Sequence, residues 1–218
     1  MTMIKQYKKL LILTSIVTLL PILAGLLLWD QLPEQLPIHW NINGEVDRWG
    51  SKPAVVLGMP VLLMALNWIC AFVSAQDPKR KNFSPKTLAL ILWICPGLSL
   101  FIAAFTYTSA LEHPLNMEIL LPLVIGLLFC AIGNLLPKCR QSYTLGIRLP
   151  WTLASEENWN KTHRFAGKLW VLAGLLIMVT SFLGILWLLP GVLILALGAT
   201  TLYSWLYYRK HEKGKKQK

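Results

Sequence analysis

Residues 10–29 read LLILTSIVTLLPILAGLLLW, an apolar run without a single charge. As a helix rising 1.5 Å per residue it is about 30 Å long, the thickness of the hydrocarbon core of a bilayer. No water is available there to satisfy backbone N–H and C=O groups, so such a segment must close its hydrogen bonds within itself. Five more blocks of this kind lie at about 54–75, 87–110, 117–136, 168–188 and 190–208. The chain is therefore expected to be an all-α membrane protein, with residues 1–218 forming a single six-helix membrane domain. Only Leu189-Pro190-Gly191 separates the last two blocks, and Pro190 is expected to open the sixth helix, since the missing N–H costs nothing in a first turn. The first block is expected to remain as a span, because its apolar run continues to Trp29 and no A-x-A cleavage pattern follows.

Composition agrees. Of the 218 residues 55% are hydrophobic and 14% charged, and the mean hydropathy is +0.53, whereas a soluble domain carries about 25% charged residues. The net charge of +11 does not indicate a nucleic-acid binder, because the basic residues are grouped between the apolar blocks. Lys5, Lys8 and Lys9 precede the first block, and Lys79, Arg80, Lys81 and Lys86 separate the second from the third. Lys138, Arg140, Arg148, Lys161, Arg164 and Lys168 lie between the fourth and the fifth, and the tail from Arg209 holds the rest. Of 21 basic residues only Arg48 and Lys52 lie elsewhere. Basic loops stay in the cytoplasm. This places both termini inside a bacterial cytoplasmic membrane, with an outer loop 30–53, a cytoplasmic loop 137–167 and a basic cytoplasmic tail 209–218.

No block carries Asp, Glu, Lys, Arg or His in its interior, and ion-coupled transport normally needs such a group there. Asn67, Thr106, Thr108, Ser181, Thr200, Thr201 and Ser204 are expected to make helix-to-helix hydrogen bonds. Pro21, Pro60, Pro96 and Pro122 interrupt the first four spans. Kinks at these prolines leave a small-solute or lipid-handling transporter as the alternative reading. Cys70, Cys95, Cys130 and Cys139 show no CxxC spacing and read as reduced, small apolar fillers.

Two loops are longer than a connection needs. In the outer one, Leu32-Pro33 and Leu36-Pro37 force an extended course. The alternating Ile38-His39-Trp40-Asn41-Ile42 then meets Asn43-Gly44, a two-residue hairpin turn signal. A hairpin is expected, with Trp40 and Trp49 leaning on the lipid interface. His39, Glu45 and Asp47 lack any recognised ligand spacing, so they read as a solvated acidic surface, with no metal and no cofactor. In the inner loop, Ser155 followed by Glu156-Glu157 is a helix start. The helix puts Trp159, His163, Ala166 and Trp170 on one side and Lys161, Arg164 and Lys168 on the other. Such a helix lies on membrane lipids or offers a face to a partner.

Glu156-Glu157 with Lys161 is loosely similar to the paired-glutamate motif of intramembrane CAAX-type proteases. Lys161 stands where that motif needs arginine, however, and no span holds a histidine. HExxH, P-loop and GxSxG motifs are absent from the sequence, and no catalytic residue is expected.

The two loops carry a resemblance. Leu36-Pro37, His39-Trp40-Asn41, Gly44, Asp47 and Gly50-Ser51-Lys52 match the outer motif of the SdpI family of membrane proteins. The longer inner motif covers Gly133-Asn134, Pro137-Lys138, Gly146-Ile147-Arg148, Pro150-Trp151-Thr152-Leu153, Ser155-Glu156, Trp159, Thr162-His163-Arg164 and Gly167. Ser142 stands where many members have Asn, and Leu149 where Thr is usual. The resemblance implies a non-enzymatic immunity protein against a secreted, membrane-active antimicrobial peptide toxin. It also implies a receptor role, holding a small cytoplasmic repressor at the membrane, with no direct nucleic-acid contact. On this reading His39, Trp40, Asn41, Asp47 and Trp49 are the toxin-contact candidates. Arg148, Trp151, Glu156, Trp159, His163 and Arg164 are the candidates for the cytoplasmic partner.

The orientation is open to test with single cysteines at Asn43 and Ser155 in a background lacking the native four. In intact cells an impermeant thiol reagent should label position 43 and spare position 155; the reverse pattern overturns the orientation.

Overall fold

A computed structural model of the chain describes residues 3–41, 44–183, 185 and 187–211. The elements run α1 (Met3–Gln6), α2 (Lys8–Leu27), β1 (Gln35–Trp40), β2 (Val46–Ser51), α3 (Met59–Gln76), α4 (Pro85–Ala110), α5 (Met117–Leu135), α6 (Pro150–Ala154), α7 (Glu156–Phe182) and α8 (Leu188–His211). A π-helical turn, Ala54–Gly58, leads into α3. Among the described residues six helices are long and apolar enough to cross a membrane: Lys8–Leu27, Ala54–Gln76, Pro85–Ala110, Met117–Lys138, Glu156–Phe182 and Leu188–His211. This is a mostly helical, multi-pass membrane protein.

The fifth span departs from the expected 168–188. The helix begins at Glu156, capped by Ser155, whose hydroxyl accepts from Asn158 N–H at 3.2 Å, and it ends at Phe182. The supposed loop helix is thus the first part of α7, continuous with the membrane segment rather than a separate surface helix. Helix α8 begins at Leu188, so Leu189-Pro190-Gly191 lies within it and does not separate the last two spans. Hydropathy could not show this, because the connecting residues are themselves apolar. Pro190 lies in the first turn of α8, as expected of a residue without an N–H.

The contacts cluster in two compact units: Met1–Gln76 with Pro85–Met117, and Asp77–Ser84 with Glu118–Lys218. In the first, α2 buries Leu11, Thr14, Thr18, Pro21 and Gly25, spaced alternately three and four residues apart along one face. Polar side chains tie this seam to its neighbours. Asn67 donates to Thr14 Oγ1 at 3.1 Å, Trp68 to Ser15 Oγ at 3.0 Å, Ser99 to the Thr18 carbonyl at 2.7 Å and Tyr107 to the Pro21 carbonyl at 3.0 Å.

In the second unit α5 and α7 meet at glycines one heptad apart. A Cβ on Gly174 would lie 2.5 Å from the Gly126 carbonyl oxygen, and one on Gly167 would lie 2.8 Å from that of Gly133. Helix α8 is held to α7 by Trp170 donating to Thr200 Oγ1 at 3.3 Å and by Phe165 stacked on Tyr203 at 4.3 Å. Long apolar side chains such as Leu172, Phe182 and Leu195 face away from the unit, where lipid replaces water.

Gly174→Val forces α5 and α7 apart, and overpacking of this kind costs about 1–3 kcal/mol. The expected outcome is a lower unfolding temperature in detergent. Gly97→Ala, at a position with nothing within 4 Å, should leave that temperature unchanged or raise it.

Candidate functional site

The outer loop builds a two-stranded antiparallel hairpin on the first unit. Leu36 pairs with Gly50, Pro37 with Trp49 and Trp40 with Val46, with register irregularities on either side of His39. Pro37 has no N–H to give the ladder, and its carbonyl instead accepts from Thr106 Oγ1 at 3.1 Å. Asn41 N–H donates to the Glu45 carbonyl at 2.8 Å, Gly44 N–H to the Asn41 carbonyl at 3.0 Å, and Gly44 takes a φ of 78°. A left-handed conformation is one that glycine adopts at no steric cost; Ile42 and Asn43, on which the expected turn falls, lie outside the described residues.

The hairpin base is fastened from below. Leu36 is fully buried with Leu32, Val55, Val56 and Tyr107. Lys52 is buried and donates to the Trp29 carbonyl at 3.2 Å. Its ammonium sits 5.1 Å over the Trp29 ring and pairs with Glu34 at 3.0 Å, so its charge is answered within the chain. The other face is open. His39 Nδ1 and Asp47 Oδ1 are 2.5 Å apart and partly exposed. Asn41 Nδ2 donates to Glu45 Oε2 at 3.0 Å. Trp49 is 55% exposed. Trp40, expected beside it on the lipid interface, instead packs edge-on against Phe105 at 6.3 Å.

The second unit shapes residues 137–167 around one buried carboxylate. Asp77 is 2% exposed. Its Oδ2 accepts from Tyr143 N–H, Thr144 N–H and Thr144 Oγ1, each at 2.8 Å, and its Oδ1 accepts from Lys79 N–H at 2.7 Å. Desolvation by burial pushes its pKa up, but the Thr144 hydroxyl and the three backbone donors together outweigh it and hold the carboxyl below the ordinary value. Gln141 extends the clamp, donating to the Thr152 and Leu153 carbonyls at 2.8 and 2.9 Å and accepting from Lys79 Nζ, while its own carbonyl accepts from Asn82 at 2.7 Å.

Beyond the clamp, Gly146 has a φ of 100° and lies flat on His163 and Trp159. A Cβ there would be 2.5 Å from His163 Nε2. Ile147 N–H donates to His163 Nε2 at 3.0 Å, and His163 Nδ1 contacts the Trp159 carbonyl at 2.8 Å. An amide can only donate and a carbonyl only accept, so this arrangement requires the neutral imidazole with its proton on Nδ1. Trp159 Nε1 donates to the Cys139 carbonyl at 2.8 Å, and the two rings stack at 4.0 Å.

The side chains singled out in the inner loop therefore divide. Trp159 and His163 are 0% and 1% exposed: they support the loop from inside and offer no face to a partner. Trp151 is half-buried, donating to Ser204 Oγ at 2.7 Å and stacked on Tyr208 at 5.9 Å. Arg148, Glu156 and Arg164 are exposed, with Arg148 donating to the Tyr143 carbonyl at 2.8 Å. The faces expected of the helix stand, with Trp159, His163 and Ala166 inward and Lys161, Arg164 and Lys168 outward. The inward face is covered by the chain itself. Sequence reasoning passed over Asp77, although it is the one acid in an otherwise basic loop. It also passed over the Asn158 side chain, which joins Thr162 at 2.9 Å and Ser204 at 3.1 Å.

Six spans, a hairpin between the first two and a clamped loop before the fifth mark a multi-pass protein whose two elaborated loops coincide with regions shared with other proteins. Residues 138–204 match the SdpI/YfhL protein family and residues 16–64 match the Domain of unknown function (DUF1648). The chain is 30% identical over 205 residues to the Immunity protein SdpI of Bacillus subtilis (strain 168), covering 91% of this chain and 96% of that protein, and it belongs to the SdpI/YfhL family. No solved structure matches it.

Asp77→Asn places an amide N–H₂ among N–H donors, and losing bonds to a charged acceptor costs about 1.5–3 kcal/mol each. The variant should expose the 141–149 segment to trypsin at Arg148. Because the folded pKa of Asp77 is depressed, its stabilisation is present above the unfolded value and lost as pH falls through the folded one. Protection of the Tyr143 and Thr144 amides in the parent, relative to their intrinsic exchange rates, should fall on acidification across that window, and the Asn variant should lack this dependence.

Proposed function

We propose that this chain is a non-enzymatic membrane immunity protein that protects its cell from a secreted, membrane-active peptide. The observation that carries the reading is the match to the Immunity protein SdpI along nearly the whole of both chains. Distribution of the basic residues supports an orientation with both termini in the cytoplasm, the hairpin outside and residues 137–167 inside. The loop then carries an exposed Trp49 and the exposed acids Asp30, Glu34, Glu45 and Asp47 on the side from which a cationic amphipathic peptide arrives. An aromatic anchor among acids suits such a peptide, and binding there would intercept it before insertion.

A receptor role is proposed for the inner loop. Arg148, Glu156 and Arg164 are the exposed ones among the residues singled out for a cytoplasmic partner. A protein-binding face concentrates its energy in a few aromatic and Arg anchors, and Arg148 is the anchor assigned to a small cytoplasmic repressor.

Expression in a sensitive strain should raise tolerance to the peptide, and Asp47→Ala with Trp49→Ala should remove most of that gain at unchanged protein level. Full protection by the double variant would exclude the hairpin as the contact surface. Arg148→Ala should abolish membrane co-fractionation of the repressor while leaving protection intact. Loss only when Lys161, Arg164 and Lys168 are removed together would make the loop a membrane anchor.

A further inference from the structure

The glycines that bring α5 and α7 together leave a depression at one end of the crossing. Gly133 and Gly167, where the two helices touch, line it together with Pro137, and the groove holds about 530 Å³. Lys138 and Lys168 line one part of it and Val171 and Leu172 another. Both lysines are exposed, and among the described residues the ion pairs are His39–Asp47 and Lys52–Glu34, so neither lysine is neutralised by an acid. Lys138 ends the 3-10 turn that follows α5, and Val171 and Leu172 lie one turn further into the span than Lys168. Two cations, one where the fourth span ends and one where α7 passes from its charged first part into its apolar part, with an apolar wall beyond them, have the charge and polarity order of a lipid: anionic headgroup first, acyl chain further in.

We propose that this groove is a specific site for an anionic glycerophospholipid, with the phosphate between Lys138 and Lys168 and an acyl chain along Val171 and Leu172. The proposal is independent of the immunity reading, since it concerns a resident lipid and not the peptide. A zwitterionic lipid offers the same chain, but its ammonium cancels the phosphate charge that would meet the two lysines, and free phosphate offers the charge without the chain.

The test is native mass spectrometry of the full-length chain in detergent with equal amounts of phosphatidylglycerol and phosphatidylcholine, together with thermal unfolding in each lipid and in inorganic phosphate. The parent should retain phosphatidylglycerol in at least tenfold preference and be stabilised by it alone. A basic side chain near anionic lipid is worth about fivefold in affinity, so Lys138→Gln with Lys168→Gln should weaken retention about 25-fold. Lys161→Gln with Arg164→Gln removes the same charge from α7 outside the groove and should change it little. Equal retention of the two lipids overturns the proposal, as does stabilisation by inorganic phosphate alone, or equal loss in the control pair, which would mean diffuse surface charge. Lipid preference in the parent decides the matter even if the double variant does not fold.

Discussion

Inside a bilayer, apolar side chains gain nothing by leaving lipid for one another, so the helices of this protein must be held by close approach and by hydrogen bonds. Both devices are built on small residues. Gly126, Gly133, Gly167 and Gly174 let α5 and α7 touch backbone to backbone, and the Thr14, Thr18 and Gly25 seam lets α2 receive Asn67, Ser99 and Tyr107. Large side chains are left to the lipid, the inverse of a soluble core. The absence of charges from the interiors of the apolar blocks follows from the cost of placing a charge in hydrocarbon.

Each loop is then fixed by a charged group turned inward. Lys52 answers the Trp29 carbonyl and Glu34 under the hairpin, and Asp77 gathers four donors under the inner loop. A buried charge is tolerated only when its partners are in place, so each acts as a register pin for the segment above it. Of the residues singled out, His39, Asp47 and Trp49 on the hairpin and Arg148, Glu156 and Arg164 on the second loop are left exposed. Trp159 and His163 matter to the second surface through the shape they impose on Gly146 and Ile147.

Much of this was legible in the residues. Six apolar blocks set the number of spans, because length against bilayer thickness leaves no other element. The hairpin showed in Leu-Pro steps and alternation, and Ser155 with two following glutamates marked a helix start. The inner motif placed the family. Two features were not legible. The end of α7 was hidden because the residues that follow it are as apolar as the helix. The roles of Trp159 and His163 were hidden because an amphipathic pattern states that a face is covered, not by what.

By itself, then, the sequence determined the membrane class, the span count and the position of the two elaborated loops, since these depend on local composition and chain length alone. Tertiary structure decided which motif residues are surface and which are support. That division rests on contacts between positions far apart in the chain, such as Asp77 with Thr144 and Trp151 with Ser204, and no periodicity within a single segment encodes them.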